Sequence, residues 1–250
     1  MNRHLPVTLR ITRDLCYDNA SEVVDAISSS LMSHPRGIML DMSKVDMIDS
    51  SGLRALLRSR KLCEQTNVDF GLLSVSTSVE RVLAMSGFAT VFGFPSIDHG
   101  VSQREVSDFI CPESEAWNVV EYQSVSDPSM IAVLRSRVIE AATAAGAKSD
   151  AICDIQIAVG EALTNAYRHG SPEKGVSKIK LRCMTCANAV VVEIEDEGEP
   201  FDPNAVSDPD PGELRDHGMG IYLMRQAMDV VDFSTNCPGN RVRMIKWLDA

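Results

Sequence analysis

Apolar positions in the first hundred residues follow two different periods. Short runs typical of strands occur at Val7–Ile11, Gly37–Met42 and Val68–Leu73, and Val91–Phe94 is the last apolar run of the set. Apolar residues at helical spacing lie between these runs, at Val23–Leu31, Leu53–Leu57 and Val79–Leu83. Strands separated by helices predict a largely parallel or mixed sheet covered by helices, and therefore an α/β domain.

A polar stretch from about residue 96 to 116 interrupts this pattern, and its end, 107–116, is predicted to link a first domain of residues 1–106 to a second of residues 117–250. The second domain opens with a strand at Trp117–Gln123. Ser126-Asp127-Pro128 then starts a helix that ends at Gly146. The remaining predicted elements are a helix from about Ser149 to His169, strands at 176–183, 189–195, 230–235 and 240–247, and a helix after Gly220.

The charge of the 250-residue chain is −11 and is unevenly distributed. Residues 1–98 carry 10 basic and 11 acidic side chains, and the rest of the chain carries 14 basic and 24 acidic ones. An acidic surface without a basic stripe repels nucleic acids and anionic membranes, so protein partners are expected.

No apolar stretch approaches the ~20 residues of a membrane span, and the first residues lack the apolar core of a secretory signal. These features predict a cytoplasmic protein.

The seven cysteines are scattered and odd in number, which argues against a disulfide framework. Cys183 and Cys186 form a Cys-x-x-Cys pair, but no second pair or nearby histidine completes a metal site. A tight turn between two strands is the expected explanation.

The helix of residues 149–169 carries polar residues on one face. Glu161, Asn165 and His169 are four residues apart, which keeps them near one side of a helix. An asparagine oxygen is a neutral ligand for Mg²⁺, and a glutamate can accept the proton of an attacking hydroxyl. For the helix alone, a solvated polar face is the better explanation of the spacing.

Two later motifs favour a nucleotide site. Asp196 ends a strand just before Gly198, where its carboxylate can accept a hydrogen bond from an exocyclic amine. Gly218 and Gly220 precede a helix, and free N–H groups at a helix start favour phosphate. The three motifs in this order predict nucleotide binding.

These motifs resemble the three nucleotide-binding boxes of the histidine-kinase-like ATPase (GHKL) superfamily, and residues 117–250 resemble more closely the anti-sigma-factor serine/threonine kinases of bacterial partner switching. The resemblance implies a two-layer α/β sandwich that binds ATP and Mg²⁺. It also implies roles for individual residues: Glu161 as catalytic base, Asn165 as Mg²⁺ ligand, Asp196 and Gly198 at adenine, and Gly218 and Gly220 at the phosphates.

The acidic, proline-rich segment between Gly198 and Gly218 is expected to form a lid over the nucleotide. Arg215 in this segment is either a phosphate contact or a surface arginine. In the last strand, Arg243 stands near a position where the family often has a small hydroxyl residue.

The first domain contains the stretch "MIDSSGLRAL", in which a strand ends at Asp49 and a helix begins near Ser51. This order predicts that Ser50 is exposed at a helix N-cap, where serine is favoured for stability alone. Residues 5–105 also resemble the sulfate-transporter and anti-sigma-antagonist (STAS) family. That resemblance implies that Ser50, or less readily Ser51, is a phosphoacceptor.

The leading hypothesis is therefore a partner-switching regulator that binds Mg-ATP and phosphorylates a STAS serine, either its own Ser50 or that of a separate antagonist. Its expected partners are a STAS antagonist, a sigma factor and a serine phosphatase, and its expected assembly is a homodimer through the kinase domain. The alternative is a non-catalytic, nucleotide-gated module that sequesters a regulator. A histidine kinase is disfavoured because no histidine lies in a dimerisation helix before the ATPase domain.

Overall fold

The computed structural model describes residues 6–94, 117–205, 218–237 and 239–248. The chain divides into two compact units. The predicted linker at 107–116 lies outside the described residues, so the exact domain boundaries remain predictions.

The first unit contains a three-stranded sheet in the order β1-β2-β3 with both strand pairs parallel. Helices separate the strands along the chain, as the apolar pattern predicted. The elements are β1 (Val7–Arg10), α1 (Ala20–Leu31), β2 (Gly37–Asp41), α2 (Ser50–Gln65), β3 (Asp69–Leu73) and α3 (Thr77–Met85). The run at Val91–Phe94 is not a further strand, because a 3-10 helix occupies Thr90–Phe92.

The start of α2 is held against the segment that follows β1. Leu15 and Ile48 form an isolated parallel bridge. A Cβ atom on Gly52 would lie 2.0 Å from the backbone oxygen of Leu15. Only glycine permits this approach, which fixes the position of the serine loop relative to the sheet.

The second unit is a two-layer α/β sandwich, as predicted. Its five-stranded sheet has the order β4-β5-β6-β8-β7, and every described strand pair is antiparallel. The elements are β4 (Asn118–Val125), α4 (Ser129–Ala144), α5 (Ser149–Arg168), β5 (Lys178–Cys186), β6 (Ala189–Glu195), α6 (Met219–Ala227), β7 (Val230–Cys237) and β8 (Gly239–Trp247). Helix α5 packs against α4, α6 and the central strands, so it forms the middle of the helical layer.

The two faces of this sheet differ in polarity. On β5, Ile179 and Leu181 are buried beneath the helices, while Lys180 and Arg182 between and beyond them are exposed. Charges alternate across the outer face, where Arg182 lies 3.0 Å from Glu121 and Arg243 lies 3.7 Å from Glu193. Arg243 is therefore part of a cross-strand charge row.

Cys183 and Cys186 lie on the same strand, and the predicted tight turn follows directly at residues 187–188. Because side chains alternate along a strand, residues three apart point to opposite faces. Burial raises the pKa of the Cys183 thiol to about 12, and the Cys186 thiol donates to Asn188 Oδ1 at 2.8 Å. The two thiols belong to separate environments and do not form a joint site.

One buried ion pair joins the two layers. Lys246 Nζ lies 2.7 Å from Asp154 Oδ2, with exposed side-chain fractions of 16% and 4%. Lys246 Nζ also donates to the backbone oxygen of Ala227 at 2.8 Å. This lysine thus connects β8, α5 and the end of α6. No helix in the described parts of the chain is both long and apolar enough to cross a membrane.

We expect Lys246→Met to lower the free energy of unfolding by about 3–5 kcal/mol, because it leaves the buried Asp154 carboxylate without its lysine partner. Urea unfolding followed by circular dichroism measures this loss. The matched control is Lys180→Met, since Lys180 is 59% exposed and 3.7 Å from Glu195; its loss is expected to stay below about 1 kcal/mol. Equal losses in the two variants would contradict the structural role of the buried pair.

Candidate functional site

The serine loop of the first unit is organised by Asp49, which caps helix α2. Asp49 Oδ1 accepts the backbone N–H groups of Ser51 and Gly52 at 2.8 and 2.9 Å. Asp49 Oδ2 accepts the N–H of Tyr17 at 2.9 Å. Both carboxylate oxygens are thereby engaged. Burial raises the pKa of Asp49, and the three N–H donors and the nearby Arg54 charge oppose that effect.

The predicted placement of Ser50 is wrong in two respects. Asp49 is the N-cap, and Ser50 is the first residue of α2. Ser50 is only 5% exposed, and Ser51 is 8% exposed. The sequence pattern located the loop correctly but could not show its burial, because the segment around Leu15 and Tyr17 comes from a distant part of the chain.

Arg54 is a residue of this loop that sequence reasoning did not single out. It follows Ser51 by one helical turn, and its Nη2 donates to Ser51 Oγ at 3.2 Å. Arg54 is half-buried. Spacing of i and i+3 on a helix was the available signal for this contact.

In the second unit, Asp196 is held through one of its two carboxylate oxygens. Asp196 Oδ1 accepts the N–H of Gly198 at 2.9 Å and both the backbone N–H and the side-chain amide of Asn240, at 3.3 and 3.0 Å. Oδ2 accepts no hydrogen bond from the described residues. The half-buried carboxylate thus has a fixed orientation and one oxygen available to a donor.

Glycine backbones approach Asp196 from three segments. A Cβ on Gly170 would lie 2.1 Å from Asp196 Cγ, and a Cβ on Gly198 would lie 3.2 Å from its Oδ1. Gly239, with a φ of +113°, would place a Cβ 1.7 Å from the Asp196 backbone oxygen. These approaches bring the end of α5, the turn after β6 and the start of β8 to one carboxylate.

Asn240 joins Asp196 to the loop that follows it. The Asn240 Nδ2 group also donates to the backbone oxygen of Glu199 at 2.9 Å, and its Oδ1 accepts the N–H of Phe201 at 2.9 Å. Sequence reasoning drew attention to Arg243 in this strand, but Asn240 is the β8 residue whose side chain contacts Asp196. The signal for Asn240 was weak, because a Gly-Asn pair at a hairpin usually indicates a turn.

Glu161 and Asn165 lie together on α5, as their spacing predicted, and face the start of α6. A Cβ on Gly220 would lie 2.5 Å from Glu161 Oε2 and 3.6 Å from Asn165 Nδ2. Glu161 is buried and Asn165 is half-buried. The Asn165 carboxamide makes no hydrogen bond within the described ranges. His169 is the exposed C-cap of the helix.

Gly218 is the N-cap of α6 and adopts a left-handed φ of +90°. The structure thus brings Glu161, Asn165, Gly218 and Gly220 to one end of α5 and α6. Arg215 lies outside the described residues, so its predicted phosphate contact stays a prediction. Among the described residues, no group of three or more His, Cys, Asp or Glu side chains is arranged to hold a metal ion.

The arrangement fits a magnesium nucleotide chemically. Asp196 Oδ2 can accept an exocyclic amine, and the Asn165 oxygen is a suitable single protein ligand for an ion that also takes phosphate and water ligands. Gly220 lets the start of α6 approach Glu161 closely, because a Cβ at this position would lie 2.5 Å from Glu161 Oε2.

Comparison with known families gives a separate match for each unit. Residues 125–246 match the model "Histidine kinase-like ATPase domain", and residues 2–101 match the model "STAS domain". The serine-protein kinase RsbW of Bacillus subtilis is 30% identical over 142 residues, which cover 52% of this chain and 86% of that protein. An anti-sigma F factor of Clostridium botulinum is 36% identical over 105 residues, which cover 39% of this chain and 71% of that protein.

Two solved structures also match parts of the chain. A sulfate transporter family protein from Wolinella succinogenes is 23% identical with a TM-score of 0.33, covering 35% of this chain and 71% of that one. The RsbU and RsbW domains of a Mycobacterium tuberculosis protein are 14% identical with a TM-score of 0.39, covering 52% of this chain and 32% of that one.

The family matches confirm both resemblances found in the sequence. The chain therefore belongs to the family of histidine kinase-like ATPases that includes the RsbW serine-protein kinases, and it carries this domain fused to an N-terminal STAS domain.

Proposed function

We propose that this chain is a partner-switching kinase that binds Mg-ATP in its second unit and transfers the γ-phosphoryl group to a STAS-domain serine. The observation that carries the proposal is the state of Asp196. One of its oxygens is saturated by three N–H donors and the other has none among the described residues. A buried structural carboxylate would use both oxygens, as Asp49 does.

Each residue around the nucleotide would have a separate role. Asp196 Oδ2 accepts the exocyclic amine of adenine, which selects against bases that carry a carbonyl at that position. The Asn165 oxygen holds Mg²⁺, and the backbone at Gly218 and Gly220 approaches the phosphates. Bound Mg²⁺ spreads the negative charge that develops on the transferring group.

Glu161 would act as the base. As the serine oxygen bonds to the γ-phosphorus, the hydroxyl proton passes to the Glu161 carboxylate. The bond between that phosphorus and the bridging oxygen breaks, and ADP leaves with the electron pair. Glu161 is 1% exposed, and its carboxylate lies beside Gly220 at the start of α6.

The names of the relatives are the basis for the partners proposed for this chain. One relative is an anti-sigma F factor by name, and others are serine-protein kinases. We propose that the chain binds a sigma factor and a STAS antagonist, that it dimerises through its kinase unit, and that a serine phosphatase reverses the modification.

The burial of Ser50 is the observation that favours a second candidate function. A 5% exposed hydroxyl must be uncovered before it can reach a γ-phosphate. Phosphorylation of the chain's own Ser50 therefore requires the serine loop to open, and a non-catalytic module gated by nucleotide, which needs no accessible serine, is the second candidate function.

Intact-mass spectrometry after incubation with Mg-ATP separates these functions. We expect one added phosphate on either the parent chain or an added STAS antagonist, and none with Glu161→Ala. If the chain itself is modified, Ser50→Ala should abolish the signal. Nucleotide binding without phosphate on any tested STAS protein would instead support the gated module. Failure to bind Mg-ATP would contradict both.

Gly220→Ala should reduce phosphoryl transfer at least tenfold, because the added carbon would lie 2.5 Å from Glu161 Oε2 and displace the carboxylate. The measurement is the initial rate of phosphate transfer with saturating ATP. Gly71→Ala is the control, since its added carbon would meet only the flexible end of Met39. An unchanged rate in Gly220→Ala would show that the position of Glu161 is unimportant.

Asn240→Ala should weaken ADP binding by about tenfold, because it removes one of the three donors to Asp196 Oδ1 and releases the loop at Phe201. GDP, which carries a carbonyl where adenine has its amine, should lose less affinity, so that base discrimination narrows. Isothermal titration measures both affinities. Asn188→Ala is the matched control, because Asn188 lies in the hairpin turn between β5 and β6. Equal losses for ADP and GDP would indicate general loosening instead.

A further inference from the structure

The N–H groups at the start of α2 are already used before any phosphate arrives. Asp49 Oδ1 accepts those of Ser51 and Gly52. A helix start normally offers such donors to a phosphate. A phosphate on Ser50 therefore does not find these two groups free, and it also lies beside the Asp49 carboxylate.

The burial of Ser50 makes the lack of free N–H donors important for a phosphate at this position. A phosphate brings about −1.5 to −2 charges, and a charge at a buried position needs a partner of opposite sign. Ser50 is 5% exposed. The phosphorylated loop must either open to solvent or pair the phosphate with a nearby cation.

Arg54 is the cation placed to do this. It lies one turn beyond Ser50 and Ser51 on the same helix, and residues three and four apart are neighbours on a helix surface. Its guanidinium already reaches Ser51 Oγ at 3.2 Å and acts on the Asp49 carboxylate. Ser50 and Arg54 are four residues apart on the helix, a spacing at which side chains are neighbours.

We infer that Arg54 is the phosphate-binding residue of the serine loop. On phosphorylation of Ser50, the guanidinium exchanges its contact with Ser51 Oγ for a two-pronged contact with phosphate oxygens. The modified loop then stays folded at the start of α2, and a partner meets a phosphate partly neutralised by arginine. This inference rests on the proposed phosphorylation of Ser50.

The test installs phosphoserine at position 50 of the full chain during translation, by suppression of an amber codon, so that no kinase activity is needed. A ³¹P NMR titration then measures the second pKa of the phosphate, ordinarily about 6. Asp49 acts to raise this pKa and Arg54 to lower it. In Arg54→Gln we expect the second pKa of the phosphate to rise by about one unit relative to the parent. In Arg54→Lys we expect a smaller rise.

Arg58→Gln is the matched control. Arg58 is exposed on the same helix and is eight residues from Ser50, about 12 Å along the axis, where salt screens its charge. It should leave the phosphate pKa near the parent value. An Arg54→Gln shift no larger than that of Arg58→Gln would overturn the inference.

A second measurement needs no variant. The Arg54 Nε–H resonance in ¹H–¹⁵N spectra should move between the unmodified and phosphoserine-containing chains, and an unchanged resonance would also overturn the inference. Both results are independent of catalysis. A chain that fails to transfer phosphate from Mg-ATP but shows the Arg54 effect would contradict the proposed kinase and leave the phosphate contact standing.

Discussion

The close approach of three backbone segments to Asp196 is the constraint around which the second unit is built. Gly170, Gly198 and Gly239 each come so near this residue that a Cβ atom would overlap it or crowd it. Their segments are the end of α5, the turn after β6 and the start of β8. Because α5 also carries Glu161 and Asn165, the same contacts fix the distance between the two ends of the candidate nucleotide site.

Each unit contains an aspartate that orders the chain around it, Asp49 in the first unit and Asp196 in the second, but the two carboxylates differ in burial and in how many of their oxygens are engaged. In each, an aspartate follows a strand or loop and accepts N–H donors from the chain around it. Asp49 has both oxygens engaged and is buried, so it serves as a cap that holds the serine loop in shape. Asp196 has one oxygen engaged and is half-buried, so its shape is fixed while one oxygen remains for a ligand. Each aspartate accepts three hydrogen bonds, so the two carboxylates differ in whether the donors engage both oxygens or only one.

Charge is distributed in the second unit according to its energetic cost. The outer face of the sheet holds exposed ions of opposite charge such as Arg182 and Glu121, which contribute little to stability and keep this face polar. The interior holds the Lys246 and Asp154 pair, whose separation would leave a buried charge. The same reasoning identifies a phosphate on the buried Ser50 as a group that requires a cation.

The sequence by itself determined the succession of strands and helices, the two families that the chain resembles and the position of the serine loop, because periodicity and glycine positions are local properties. The sequence pattern was wrong at Val91–Phe94, because a 3-10 helix occupies Thr90–Phe92. A short apolar run does not distinguish a strand from a short helix. Only the tertiary structure decided that Ser50 is buried, that Asn240 and not Arg243 contacts Asp196, and that Lys246 reaches Asp154. These facts depend on residues far apart in the chain, whose meeting is set by sheet register and helix packing and leaves no local pattern.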